Sequence, residues 1–201
     1  MLPLAALLAL LSGSALMFTS MFPAQLLVGP ADPHARPLDF ASRELRAALV
    51  EYATFTLSHG LPPIDSDCVG QREIYRVVRT PGESPGPIIA VDIDASGADT
   101  HVMTWLMVDG ASGGLLWKRA SDQLVDAETI DAVRSRVETL LLSDAVAATA
   151  AAVLDAPEEV VETCRHSRYH FYRRIGDFAA ADEPFRLVVR SLLALSPQHK
   201  P

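Results

Sequence analysis

Between Arg72 and Arg119 the chain carries four short runs of alternating or apolar residues, separated by turns too short to hold a helix. Nothing else narrows the fold as much, because consecutive strands joined by tight turns pair antiparallel. Arg72–Arg79 puts Ile74 and Val78 on one side and Tyr75 and Val77 on the other. Thr80–Pro87 holds three prolines and two glycines and reads as a connection. Ile88–Asp94 begins almost wholly apolar, which suits a central strand. Ala95–Asp99 turns around Gly97. His101–Val108 then sets Val102, Leu106 and Val108 against Met103, Trp105 and Met107. Asp109–Gly114 supplies three glycines for another turn, and Leu115–Arg119 returns as a fourth strand.

Helical spacing flanks this meander. From Asp39 to His59, Leu45, Leu49, Tyr52 and Thr56 form one stripe, with Asp39 as N-cap and Gly60, Pro62 and Pro63 as the stop. Ala127–Leu142 carries Ile130, Val133, Val137 and Leu141 on one face, and the alanine-rich 144–154 reads as a short second helix. Glu159–Cys164 and Arg168–Ile175 form a hairpin around His166-Ser167. Pro184 opens a last helix, whose Phe185, Val188, Val189, Leu192 and Leu195 face inward. The order predicts an α+β fold: a mostly antiparallel sheet with helices packed on one face, preceded by an apolar N-terminal segment.

The Tyr-Arg strand at Glu73–Arg76, the bend and apolar strand at Pro85–Val91, the turn at Asp109–Gly114, the run Arg168-Tyr169-His170 and the helix from Phe185 to Ser196 follow one another in a familiar order. This order resembles that of a group of uncharacterised bacterial proteins, over about residues 72–196. Asp92 and Asp94 depart from it, standing where that group carries a basic residue, and its tryptophans before the last hairpin are missing. The group has no assigned activity, so the resemblance implies architecture alone.

The first 31 residues carry no charged side chain, and Leu2–Val28 is mostly Leu, Ala, Met and Phe. Residues 1–28 fit a cleaved secretory signal ending near Gly13-Ser14-Ala15, or an uncleaved membrane anchor. The third option is a helix buried in the folded body. Export or tethering is the expectation, with residues 29–38 as a Pro-rich linker and 39–201 as one folded domain. The localisation that follows is periplasmic, secreted or membrane-anchored, with membrane contact through residues 2–28. The two cysteines, Cys68 and Cys164, fit a disulfide in an oxidising compartment and two buried thiols in the cytosol.

A net charge of -8 and a pI near 5.2 exclude a nucleic-acid surface that works by neutralising phosphates. No Cys-x-x-Cys, His-Glu-x-x-His or dinucleotide fingerprint occurs, so no cofactor is expected, and a protein partner fits better. Two constellations remain. Asp92, Asp94, Asp99 and His101 could serve a metal-assisted hydrolase, although Asp92–Gly97 imitates only the first half of a calcium loop and Met103 stands where its bidentate Glu belongs. A plain hairpin turn explains the same residues. Arg168, His170, Tyr172 and Arg174 alternate along one strand face, so Arg168, His170 and Arg174 could grip an anion. The competing reading is a solvated sheet face. The primary expectation is a non-enzymatic envelope protein that binds or interacts; the hydrolase is the alternative.

Overall fold

The computed structural model describes residues 40–64, 68–83, 86–111, 113–143, 156–176 and 183–198, with the first helix's side chains from Ala47 onward. The expected signal or anchor at 1–28, the linker at 29–38, the Asp39 cap and the alanine-rich helix at 144–154 lie outside these residues.

Helix α1 spans Phe40–Ser58. Strands β1 (Glu73–Thr80), β2 (Ile89–Asp94), β3 (Thr100–Asp109) and β4 (Leu115–Val125) follow. Helix α2 is Ala127–Leu141, the hairpin is β5 (Glu158–Arg165) with β6 (Arg168–Ile175), and helix α3 is Glu183–Ala194. Asp126 caps α2 by accepting a bond from the Thr129 N–H at 2.7 Å, which satisfies one of the helix's otherwise unpaired donors. His166 and Ser167 both take positive φ (52° and 58°), the backbone that a two-residue hairpin turn needs to match strand twist.

The strands form one sheet in the order β4-β3-β2-β1-β5-β6, and each neighbouring pair is antiparallel. The first four strands are the meander. The chain from β4 through α2 then returns β5 to the side of β1. Strand β4 runs six residues past the expected end at Arg119. Its ladder with β3 continues through Ser121–Val125 after an irregularity opposite Thr104 and Trp105. An edge strand need not alternate cleanly, so the polar Ser121-Asp122-Gln123 hid it.

Helices α2 and α3 pack together on the back face of the sheet. Ile130, Val133, Val137 and Leu140 of α2, with Phe185, Val188 and Leu192 of α3, cover Tyr75, Val77, Val91 and Ile93. The α2 stripe closes on Leu140, which is fully buried, and Leu141 is only partly so.

Helix α1 lies on the opposite, front face. Its Tyr52 meets Glu162 and Phe171, which register with Arg76 and not with Tyr75 or Val77. An apolar stripe on a helix records that one side is buried but not which sheet face buries it. The expected one-sided packing therefore describes α2 and α3, while α1 makes the sheet a covered middle layer.

Cys68 and Cys164 are joined by a disulfide, with Cα atoms 5.5 Å apart and 96 positions between them in sequence. The bond sits with Ile64 and Ile74 in a small apolar cluster backed by Tyr169. It fastens the α1–β1 connection to the front face of β5.

Candidate functional site

The front face holds a buried polar row. Arg76 donates from Nε to Asp92 Oδ1 at 2.6 Å and from Nη2 to Asp92 Oδ2 at 2.8 Å. Its Nη1 donates to the Pro62 carbonyl at 2.8 Å and reaches Glu162 Oε2 at 3.4 Å. Trp105 Nε1 donates to Asp92 Oδ2 at 3.0 Å. Glu162 accepts from the Tyr52 hydroxyl at 2.5 Å and from the Tyr169 hydroxyl at 2.7 Å. The register explains the row: Asp92, Arg76 and Glu162 are direct cross-strand partners on β2, β1 and β5.

Two carboxylates face one guanidinium in this row, and the neutral donors Tyr52, Tyr169 and Trp105 stabilise the excess negative charge by hydrogen bonding. Burial opposes charge on Arg76, but Asp92 and then Glu162 outweigh it and hold the guanidinium protonated. Burial, and next the Glu162 charge, push the Tyr52 phenol well above its ordinary range. That keeps it a hydrogen-bond donor at physiological pH.

Beside this row, between α1 and the sheet, lies a cavity of about 150 Å³. Val78 and Val160, cross-strand partners on β1 and β5, line it from the sheet, and Tyr52 and Phe55 line it from α1. Thr80, Glu51, Glu158 and Arg173 complete the wall. Arg173 donates from Nη1 to Glu51 Oε2 and from Nε to Glu158 Oε1, both at 2.7 Å.

Of the four hydrolase candidates, Asp92 stands apart from the other three. Asp92 is 3% exposed and held by Arg76. Asp94, Asp99 and His101 line a shallow cleft at the β2–β3 turn with Arg72 and Ser96. There Asp94 accepts from the Ser96 N–H at 3.0 Å and pairs with Arg72 at 3.4 Å. His101 is paired with Asp122 of β4 at 3.1 Å. Among the described residues, no three His, Cys, Asp or Glu side chains group closely enough to hold a metal ion.

The predicted anion row is divided by burial. Arg168 is exposed at the start of β6, His170 is half-buried and Tyr172 belongs to the back-face core. Arg174 has no exposed surface, and its guanidinium carbon stands 5.0 Å from the Phe185 ring centroid. Burial, then the Arg168 charge, lowers the His170 pKa, which favours a neutral imidazole. The row is therefore neither a solvated face nor an open row of three cations.

The sequence reading placed Tyr52 on the packing stripe of α1 but gave Arg76 and Glu162 no site role, and it did not find the cavity. One signal was present: Arg76 stands between Tyr75 and Val77, and Glu162 follows Val160 and Val161, so each charge adjoins the apolar middle of its strand. No family model matches the chain, and no curated protein or solved structure does either.

Proposed function

We propose that the chain is an exported or membrane-tethered envelope protein whose folded body acts as a non-enzymatic binding or interaction module. The observation that carries this reading is the buried Cys68–Cys164 disulfide. Structural disulfides persist in oxidising compartments and are rare in the cytosol. The uncharged residues 2–28 supply the means of export or tethering. No helix among the described residues is long and apolar enough to cross a membrane, so 2–28 is the segment that would make membrane contact. The binding role is supported by the cavity under α1.

Fractionation of cells expressing the full chain, and a version lacking residues 1–30, tests the localisation. The full chain is expected in the extracytoplasmic or membrane fraction and the shortened one in the cytosol. Recovery of both in the cytosol overturns the reading.

A further inference from the structure

We propose that the cavity between α1 and the sheet binds a small aromatic or branched aliphatic group that carries a cationic amine beside it. The proposal rests on the binding-module reading and gives that module a ligand class.

The cavity follows from side-chain lengths. Tyr52 and the Arg76–Glu162 row fill the space between α1 and the middle of the front face. Val78 and Val160 lie in the next row and are too short to fill the same gap. The space left is about 150 Å³. A space of roughly that size holds a benzene-sized group, here against Val78, Val160, Tyr52 and Phe55 on its apolar side, with Glu51, Glu158 and Arg173 at its polar side.

The charged wall selects the sign. Glu51 and Glu158 flank the single Arg173, so one negative charge is left in excess. The Arg173 side chain is only 10% exposed, whereas that of Glu51 is 70% exposed. Glu51 can therefore turn toward an incoming ammonium without uncovering apolar surface, while Glu158 keeps Arg173 paired. An anion would meet two carboxylates here and a chain of net charge -8. A neutral hydrocarbon would fill the space but leave the excess charge unanswered.

Ligand-observed NMR on the full chain tests this with phenethylamine, toluene and phenylacetate as probes of similar size and different charge. Phenethylamine is expected to bind at millimolar concentration or better, and at least about tenfold more tightly than phenylacetate. Glu51→Gln, a change at an exposed side chain, should weaken phenethylamine several-fold and leave toluene unchanged. Val160→Phe should abolish binding of both by filling the cavity. A tetrapeptide amide containing Phe-Lys separates the two sources of this chemistry. Binding tighter than the free amine assigns the cavity to a partner protein's side chains, and weaker binding assigns it to a small amine.

Equal binding of phenylacetate, an unchanged phenethylamine affinity in Glu51→Gln, or no binding of any probe overturns the proposal. These results are separable from failure of the parent reading. Exported, fully oxidised protein that binds no probe loses this site alone, whereas cytosolic protein with free thiols loses the envelope reading whatever it binds.

Discussion

Arg76 grips Asp92 along one edge of its guanidinium, Nε to Oδ1 at 2.6 Å and Nη2 to Oδ2 at 2.8 Å, where neither side chain keeps more than 4% of its surface. Both oxygens of this carboxylate are engaged, with Trp105 Nε1 as a third donor. Its partner in turn depends on it, because a guanidinium buried without a counter-charge is very costly. The pair and Glu162 therefore act as a fixed polar centre on the front face, onto which α1 docks through Tyr52.

Arg76→Leu should destabilise the protein by about 3–5 kcal/mol, because it leaves Asp92 and Glu162 buried without their cation. Adding Asp92→Leu should recover a substantial part of that loss. Urea unfolding of Arg76→Leu, Asp92→Leu and the double variant checks this. A double variant as unstable as the sum of its parts would show the pair to be uncoupled.

Replacing both Cys68 and Cys164 with alanine should cost roughly 3–5 kcal/mol, as expected for opening a loop of nearly a hundred residues. The cysteines lie among Ile64, Ile74 and Tyr169, so alanine isolates the covalent effect better than serine does. The readout is the shift of the urea midpoint relative to the oxidised parent.

Calcium, zinc or manganese should leave the melting temperature unchanged, since a ligand raises it only by binding the native state. Asp94→Ala and His101→Ala should each change stability by less than about 1 kcal/mol, because both side chains are partly exposed and their polar contacts, Asp94 with Arg72 and His101 with Asp122, are open to water. A metal-dependent rise that either substitution removes would favour the hydrolase reading over the binding module.

Two glutamates on the back face should respond to acid in opposite directions. Burial raises the Glu73 pKa, but the hydrogen bonds from Arg134 and Tyr75 outweigh it, and the net shift is downward. Glu73 therefore contributes stability above its unfolded pKa, and loses it as pH falls through the folded value. Glu159 is shifted upward by burial, which the nearby Arg79, Arg186 and Arg190 only partly offset. Its contribution is present below the unfolded pKa and is lost as pH rises through the folded one. Glu159→Gln should accordingly gain most relative to the parent at neutral pH, and Glu73→Gln should lose most there. Both differences should shrink toward pH 3, which paired unfolding curves across that range would reveal.

The meander was legible because alternation and Gly-rich turns are local signals, and every strand from Glu73 to Ile175 begins within a residue of where the pattern put it. What escaped depends on distant neighbours. The side of the sheet that α1 covers is set by Tyr52 meeting Glu162, 110 positions away. Arg174 alternates with Arg168 and so reads as surface, yet the packing of α3 carries Phe185 over it and removes it from water. The separation of Asp92 from Asp94, Asp99 and His101 was not legible either, because carboxylates two positions apart fall into different surroundings once Asp92 enters the sheet and Asp94 reaches its end. The cavity left no trace at all, since it is a gap between side chains of unequal length.

The most direct measurement is the mass of the full chain after alkylation under denaturing conditions without reductant, on protein recovered from cells. A single oxidised species carrying no adduct is the result expected of a body stapled by Cys68–Cys164 in an oxidising compartment. Two adducts per chain on natively folded protein would contradict it.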